Sequence, residues 1–181
     1  MDESSPAGIP WRTLNSKTIY QNPWYDLRQD SVSTHTGDEI TYTYIDYPGA
    51  VAVVPITPDG NIVLIRQYRH TVKDWCWEIP MGRRDEDDIE AAARRELLEE
   101  IGGETQVLSY INFFYAHNGI TNTRCDVYLA RDVALGRSSP ESTELIEIVI
   151  KPKDEVLKMA YQGEITDGMS ALAIMLSKPF W

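Results

Sequence analysis

The first third of the chain alternates short runs of β-forming residues with turn-forming residues. Asn22-Pro23 and Gly37-Asp38 separate three such runs, a pattern typical of antiparallel strands joined by short turns. The predicted strands are 17–20, 25–34 and 39–46. The residues before Trp11 are polar and include proline, which indicates a disordered tail. We therefore expect a small N-terminal antiparallel β meander that ends near residue 47.

After Pro48-Gly49 the apolar runs become longer and helical periods appear. The runs 50–56 and 61–67 flank Pro58-Asp59-Gly60, so we predict that they form a β-hairpin. A helix is predicted from about Asp88 to Gly102-Gly103, because glycine accepts the left-handed conformation that ends helices. The other predicted elements are strands 107–115, 123–130 and 145–150, an open loop 135–142, and helices 152–162 and 169–177. This order predicts an α/β sandwich.

The predicted charged helix carries three glutamates at a spacing that suits metal chemistry. Glu96 precedes Glu99 by three residues and Glu100 by four, so the three side chains project from one face. Like charges on one face destabilise a helix, and a divalent cation such as Mg²⁺ or Mn²⁺ would offset their repulsion. Arg95 precedes Glu99 by four residues and can brace one carboxylate. A solvated surface helix held by salt bridges fits the same spacing.

Composition narrows the classes of protein to consider. The chain has 181 residues, 43% of them hydrophobic, which is enough for one well-buried domain. A formal net charge of −11 argues against a broad nucleic-acid-binding face. No stretch resembles a membrane span or a signal peptide, so we expect a cytoplasmic protein without a membrane partner. Cys76 and Cys125 lack the spacing of metal ligands and are assigned to packing.

The charged helix and the loop before it resemble the signature of the Nudix hydrolases. That signature is a glycine, five spacers, a glutamate, seven spacers and then Arg-Glu-aliphatic-x-Glu-Glu-x-Gly-aliphatic. Residues 95–102, Arg-Glu-Leu-Leu-Glu-Glu-Ile-Gly, match its second half. The chain departs from it in three places, since Gly82 lies one residue too close, Asp87 replaces the first glutamate, and Gly103 replaces the last aliphatic residue.

A second similarity indicates one branch of that family. Residues 67–69, Gln-Tyr-Arg, and 78–82, Glu-Ile-Pro-Met-Gly, look like motifs of the ADP-ribose and nucleoside-diphosphate-sugar pyrophosphatases. The resemblance implies a Nudix-type α/β/α sandwich with a mixed β-sheet in residues 48–181, preceded by a dimerising β element in residues 1–47. It also implies a homodimer that hydrolyses the pyrophosphate bond of ADP-ribose or a related nucleoside diphosphate sugar, giving two phosphate monoesters.

The resemblance assigns roles to the residues around the predicted metal. Hydrolysis of a pyrophosphate needs cations that neutralise its oxygens and activate water. Glu96 and Glu100 are expected to bind the metal directly, with Glu99 as a further ligand or outer-shell partner. The backbone carbonyl of Met81 would complete the site, because backbone oxygen is a suitable ligand for a hard cation.

The general base must come from another segment, and relatives of this branch take a glutamate from a loop before a late strand. Glu144 fits best, because polar residues give way there to an alternating apolar pattern. Glu141 is the competitor, and an ordinary solvated carboxylate is the alternative for both. The predicted catalytic residues are Glu99, Glu144 and Arg95.

Substrate-binding residues are predicted from the same resemblance. Arg69 is expected to hold a substrate phosphate, since arginine donates two parallel hydrogen bonds to phosphate oxygens, and Glu78 belongs to the neighbouring motif. A surface ion pair is the alternative for Arg69. Trp24, Tyr42 and Tyr44 lie in the N-terminal meander, whose counterpart in the resembled enzymes stacks on adenine across a dimer. Packing in a core is the alternative for these rings.

Two other functions remain open. A Nudix hydrolase can act on a dinucleotide, a coenzyme or a nucleoside triphosphate, because the metal contacts the phosphates while loops contact the rest of the substrate. Asn118-Gly119 also departs from the proline-glycine turn common in ADP-ribose pyrophosphatases. The second possibility is a Nudix-like module that binds a nucleotide without cleaving it. The altered loop from Gly82 to Asp87 is the reason to consider it.

Overall fold

The computed structural model describes residues 10–84, 88–140, 143 and 145–181. Residue contacts divide the chain into a smaller unit, which comprises residues up to Tyr47 together with His117–Thr123, and a larger unit, Pro48–Ala116 and Arg124–Trp181. Most of the predicted disordered tail lies outside the described residues. Within the described residues, no helix is long and apolar enough to cross a membrane.

The smaller unit is an antiparallel sheet. Its strands are β1 (Arg12–Gln21), β2 (Asp26–Ser33) and β3 (Glu39–Asp46), in the order β1-β2-β3. The predicted N-terminal meander is therefore confirmed. β1 is longer than predicted, because it pairs with β2 through polar residues that carry no apolar signal. The segment 117–123 joins this unit through a bridge between Ile45 and Thr121.

The larger unit is built around a mixed sheet. Its strands are β4 (Ala50–Pro55), β5 (Asn61–Arg69), β6 (Asp74–Glu78), β7 (Met81–Arg83), β8 (Gly103–Glu104), β9 (Val107–Tyr115), β10 (Arg124–Arg131), β11 (Ala134–Leu135) and β12 (Ile146–Pro152). The mixed sheet has the order β7-β4-β10-β9, with β4 and β10 parallel. An antiparallel sheet has the order β12-β5-β6, and β8 pairs with β11. Because β4 and β10 are buried on both faces, their sequences are nearly continuous apolar runs.

Helices cover both faces of the mixed sheet. They are α1 (Ile89–Ile101), α2 (Lys153–Gln162) and α3 (Gly168–Ser177), and a short 3-10 turn follows α3. Alternate residues of β4 point to opposite faces. Val51 packs in one core with Leu97 of α1, and Ala52 packs in the other with Val156 of α2 and Ile174 of α3. The predicted α/β/α sandwich is therefore confirmed, with α1 on one face and α2 and α3 on the other.

The predicted hairpin between 50–56 and 61–67 is wrong. The turn forms, but among the described residues the two strands share one bridge, between Ile56 and Ile62. β4 pairs instead with β7 and β10, and β5 pairs with β6 and β12. Buried strands need partners for their backbone groups on both edges, and a turn signal does not identify those partners. No turn signal marks the β5–β6 hairpin, whose turn contains the left-handed Lys73, with φ 57°.

Candidate active site

α1 begins and ends where its capping residues predict. The Asp88 carboxylate accepts hydrogen bonds from the backbone N–H groups of Glu90 and Ala91 at 2.9 and 3.3 Å. Gly102 ends the helix in the left-handed conformation, with φ 62°. The residues that α1 buries against the sheet are Ala92, Ala93, Leu97 and Ile101. This packing fixes the rotation of the helix and therefore the direction of its glutamates.

Glu96 and Glu100 are buried although both are carboxylates. Their exposed fractions are 7% and 4%, whereas 42% of the Glu99 side chain is exposed. Oε2 of Glu100 accepts a hydrogen bond from the backbone N–H of Met81 at 3.2 Å. The Glu96 carboxylate occupies the space that a Cβ on Gly82 would need. The backbone of β7 therefore lies directly against both buried carboxylates.

Arg95 connects the carboxylates of α1 to the strand beside them. Its Nη1 lies 2.7 Å from Oε1 of Glu96 and 3.1 Å from Oε2 of Glu99. Its Nη2 donates to the backbone carbonyl of Arg83 at 3.1 Å. One guanidinium therefore holds two carboxylates and the end of β7 in fixed positions, as a bracing role requires.

The donor set around α1 suits a hard divalent cation. Two buried carboxylates one helical turn apart repel each other, and an ion with oxygen ligands stabilises such a pair. Because residue 82 has no side chain, the Glu96 carboxylate lies directly against the backbone of β7. Across the described parts of the chain, no three His, Cys, Asp or Glu side chains are grouped as ligands of one ion. A third carboxylate ligand from Glu99 therefore requires rotation of its half-exposed side chain.

Arg69 and Glu78 form a bidentate ion pair close to this strand. Nε and Nη2 of Arg69 donate to the two carboxylate oxygens of Glu78 at 2.8 and 2.6 Å. Glu78 is 3% exposed, whereas 43% of the Arg69 side chain is exposed. The hydrogen bonds with Glu78 are the main reason that the pKa of Arg69 is raised. Two of the Arg69 donors that could hold a phosphate, Nε and Nη2, are thus bound to Glu78. Within the described residues, Nη1 of Arg69 has no acceptor.

A cleft of about 640 Å³ opens beside this ion pair. Arg69 and Glu78 line it together with Met81, whose N–H contacts Glu100, and the start of α3 forms another wall. Pockets of this volume accommodate drug-sized molecules and cofactors. The structure thus brings Arg69, Glu78, Met81 and the α1 glutamates into one region of the larger unit.

Asp126 was not identified from the sequence. It is fully buried in β10 and accepts hydrogen bonds from Nη1 of Arg84 at 3.0 Å and from Nη2 of Arg124 at 2.7 Å. Because Arg84 directly follows β7, this network anchors the chain where it leaves the strand. The available signal is a single aspartate within the otherwise apolar run from Cys125 to Ala130, since a buried charge needs partners.

The predicted adenine-stacking residues belong to the smaller unit. Tyr42 and Tyr44 lie on β3 with their ring centroids 6.5 Å apart. Burial, followed by the negative charges of Asp30 and Asp46, raises the pKa of Tyr44. Trp24 is 68% exposed and lies between β1 and β2. The structure brings the two tyrosines together, and the stacking role of all three rings stays a prediction.

Three residues named by the sequence analysis, Glu144, Glu141 and Asp87, lie outside the described residues. Ser139, two residues before Glu141 in the sequence, contacts α1, because its N–H donates to the backbone carbonyl of Glu99 at 2.8 Å. The choice between Glu144 and Glu141 stays a prediction.

Two family models match the chain. The model of the NUDIX domain matches residues 46–166, and the model of the nucleoside diphosphate sugar hydrolase N-terminal domain matches residues 11–45. The first match spans more than half of the chain and includes α1 with its three glutamates. The resemblance carried by residues 95–102 is therefore confirmed.

Individual relatives agree with this family. An ADP-ribose pyrophosphatase of Bacillus subtilis (strain 168) is 28% identical over 166 residues, which cover 90% of each chain. A methanol dehydrogenase activator of Bacillus methanolicus is 28% identical over 169 residues, again 90% of each chain. The crystal structure of an ADP compounds hydrolase matches with a TM-score of 0.82 at 19% identity, covers 97% of this chain and 96% of its own, and shows the shared fold. The chain therefore belongs to the Nudix family, and it is a Nudix pyrophosphohydrolase related to the ADP-ribose pyrophosphatases.

Proposed function

We propose that this hydrolase cleaves the pyrophosphate bond of ADP-ribose or a related nucleoside diphosphate sugar in a Mg²⁺-dependent reaction that releases two phosphate monoesters. The observation that carries the proposal is the burial of Glu96 and Glu100 against β7. Buried charges are weak contributors to stability, so a pair of carboxylates held this way is better explained by chemistry than by folding.

The substrate class is supported by three observations of different kinds. A nucleoside diphosphate sugar hydrolase N-terminal domain model matches residues 11–45. An ADP-ribose pyrophosphatase aligns with 90% of the chain. The cleft beside Arg69 and Glu78 is also lined by Met81, whose N–H contacts Glu100 of α1, and it has the volume of a small-molecule site.

Nudix hydrolases generally use divalent metal ions. In this chain Glu96 and Glu100 would hold the ion, with Glu99 as a further ligand or outer-shell partner and the carbonyl of Met81 as a backbone ligand. When bound, the ion would neutralise phosphate oxygens and lower the pKa of water. Every proposed ligand atom is a hard oxygen, which suits both Mg²⁺ and Mn²⁺, and we propose Mg²⁺ with Mn²⁺ as the alternative.

The remaining residues position the reactants. Arg95 pairs with the carboxylates of Glu96 and Glu99 and donates to the carbonyl of Arg83, so it connects the helix carboxylates to β7. Arg69, oriented by Glu78, presents Nη1 and the exposed part of its guanidinium to a substrate phosphate in the cleft. Glu144 is proposed as the general base that takes the proton of the attacking water, with Glu141 as the alternative.

We also propose that the protein is a homodimer assembled through residues 1–47. β1 supports this proposal, because each of its ten residues is exposed and its pairing within the described chain is with β2 alone. Leu14, Ile19 and Tyr20 of this strand, and Trp11 directly before it, are each at least 40% exposed. A long exposed edge strand that carries several large apolar side chains favours pairing with another chain. The proposed compartment is the cytoplasm, where the free thiols of Cys76 and Cys125 would stay reduced.

The test is release of phosphate monoesters from a panel of ADP-ribose, nucleotide sugars, dinucleotides and nucleoside triphosphates, with Mg²⁺, with Mn²⁺ and with a chelator. Metal-dependent cleavage of ADP-ribose or a nucleotide sugar supports the proposal. Faster cleavage of a dinucleotide or a nucleoside triphosphate would change the proposed substrate class but keep the assignment as a hydrolase. Binding of a nucleotide without cleavage of any compound would favour a non-catalytic module.

A further inference from the structure

The cleft beside Arg69 contains an excess of negative charge. Its charged lining residues are Arg69, Asp74, Glu78 and Asp167. Arg69 and Glu78 compensate each other through their bidentate pair. Asp74, at the start of β6, and Asp167, before α3, therefore leave this part of the cleft acidic.

The acidic part of the cleft is continuous with the proposed active site. Met81 lines the cleft, and its N–H donates to Glu100 of α1 at 3.2 Å. After the hydrogen bonds with Glu78, the negative charges of Glu100 and Asp167 both contribute to the raised pKa of Arg69. The Arg69 guanidinium is thus within electrostatic range of Glu100 and of Asp167, and Asp74 lies opposite Arg69 in the β5–β6 pairing, so a molecule whose phosphates Arg69 holds also lies close to both aspartates.

The wall that carries Asp167 is built into the fold. Oδ2 of Asp167 accepts hydrogen bonds from the N–H and the hydroxyl of Ser170 at 2.8 and 2.6 Å. The Ser170 hydroxyl, fully buried, also accepts from the N–H of Ile79 at 3.2 Å. One serine thus ties the start of α3 to the segment between Glu78 and Met81, and the two walls of the cleft keep a fixed separation.

The free acceptor atoms in this part of the cleft suit hydroxyl groups. Oδ1 of Asp167 has no hydrogen-bond donor within the described residues, and Thr166 adds a hydroxyl beside it. Carboxylates accept hydrogen bonds from hydroxyls and repel phosphate or carboxylate groups. Like-charge juxtaposition of this kind is a means of rejecting wrong ligands.

We propose that Asp74 and Asp167 are specificity-determining residues that admit an uncharged polyhydroxyl group at the far end of the substrate and reject a terminal group with an additional negative charge. The proposal rests on the proposed function and narrows it. The preferred substrates are nucleoside diphosphates of neutral sugars, whereas nucleoside triphosphates and nucleoside diphosphate uronic acids are disfavoured.

The test uses two pairs of compounds that differ mainly by one anionic group, UDP-glucose with UDP-glucuronate and ADP-ribose with ADP-ribose 1″-phosphate. The ratio of kcat/KM for the neutral compound to that for the anionic compound is measured for the wild type, D74N, D167N and the double variant. Asparagine remains a good helix N-cap, so D167N keeps the start of α3. D154N, which removes an exposed carboxylate from the first turn of α2, is the matched control.

We expect the ratio to fall about threefold to tenfold in each single variant and further in the double variant, with a smaller effect at high salt. D154N should leave it unchanged. Thermal unfolding curves show whether each variant is folded. An unchanged ratio in folded D74N and in folded D167N would overturn the proposal. The two cleft variants remove charge from different elements, so failure of one to fold leaves the other as the test.

Calorimetric titration of the wild type with the same pairs, in chelator, separates this proposal from the proposed function. Tighter binding of the neutral compounds without hydrolysis in Mg²⁺ would support the cleft assignment and reject the proposed activity. Hydrolysis of both members of a pair with equal kcat/KM would support the activity and reject the cleft assignment. Absence of binding and of hydrolysis for all four compounds would reject both.

Discussion

The carboxylate of Glu96 occupies the space that a Cβ on Gly82 would fill. A side chain at residue 82 would overlap the carboxylate carbon and both oxygens, so β7 and α1 approach this closely because residue 82 is glycine. This contact involves the far end of a flexible side chain rather than the core, so it bears on the position of the carboxylate more than on folding.

G82A should therefore separate activity from stability. We expect kcat/KM to fall by about a hundredfold, because the added methyl group displaces the Glu96 carboxylate, while Tm changes by a few degrees at most. Steady-state hydrolysis and thermal unfolding check the two effects. G119A is the matched control, since a Cβ there meets its nearest atoms at 3.9 Å. Full activity in G82A would contradict the role assigned to Glu96.

Arg69 and Arg66 offer a matched comparison on β5. Both side chains are 43% exposed, but Arg69 forms a bidentate pair with buried Glu78, whereas Arg66 lies 3.8 Å from Glu147. Lysine cannot reproduce the bidentate geometry. R69K should raise KM about tenfold and lower the free energy of unfolding by about 1–3 kcal/mol, because Glu78 loses a hydrogen bond in a buried place.

R66K should leave KM close to the wild type and lower the free energy of unfolding less than R69K does, since an exposed ion pair contributes little and lysine keeps a positive charge beside Trp75 and Trp77. Steady-state kinetics and urea unfolding of the two variants provide the comparison. An equal KM in R69K and R66K would remove Arg69 from the substrate site and leave it as a structural partner of Glu78.

The general base is tested by E144Q and E141Q. The base removes a proton in the transition state, so we expect E144Q to lower kcat by about a hundredfold with little change in KM. E141Q should retain nearly full activity. The pH profile of kcat provides an independent readout, because loss of the base should remove its acidic limb. A larger loss in E141Q than in E144Q would exchange the two roles.

Cys125 makes stability depend on pH in the alkaline range. Burial, followed by the negative charges of Asp126 and Asp167, raises the pKa of its thiol from 9.0 to about 12. Above pH 9 the unfolded chain loses this proton and the folded chain keeps it, so the thiol's contribution to the free energy of unfolding falls as pH rises toward 12.

C125A removes this contribution. We expect the difference in the free energy of unfolding between the wild type and C125A to be constant below pH 9. At higher pH it should shift by ~1.4 kcal/mol per pH unit in favour of C125A. Urea unfolding of both proteins across this range measures the difference. A constant difference up to pH 11 would show that the folded thiol ionises as readily as the unfolded one.

Local signals in the sequence predict α1, whereas they do not predict the hydrogen-bond network around Asp126. Asp88 and Gly102 cap the helix, and the glutamate spacing fixes the face on which Glu96 and Glu100 lie, because these relations act within a few residues. Asp126 meets Arg84 only after β10 has joined the mixed sheet, 42 residues further along the chain. Apolar patterning does not specify such a partner.

The same distinction explains the incorrect hairpin. The turn after β4 forms as its Pro-Asp-Gly sequence predicts, but the strands on either side enter different sheets. β7 is three residues long and pairs with β4, so its position depends on long-range pairing rather than on its own sequence. That strand nevertheless places Gly82 and Met81 beside α1. The shared face of the α1 glutamates was thus predictable from the sequence, and Met81 was expected through the family resemblance, whereas the strand pairing that brings β7 against α1 was not predictable.

The catalytic role of Glu96 and Glu100 is tested most directly by hydrolysis of ADP-ribose at saturating Mg²⁺ by the wild type, E96Q, E100Q and E90Q. Glu90 is the matched control, because it is an exposed glutamate of the same helix that pairs with Arg94. We expect a loss of at least about a hundredfold in kcat for E96Q and E100Q, loss of the increase in Tm that Mg²⁺ gives the wild type, and near-normal values for E90Q. Wild-type rates in E96Q and E100Q, with the fold intact, would contradict the claim that the buried glutamates of α1 form the catalytic metal site.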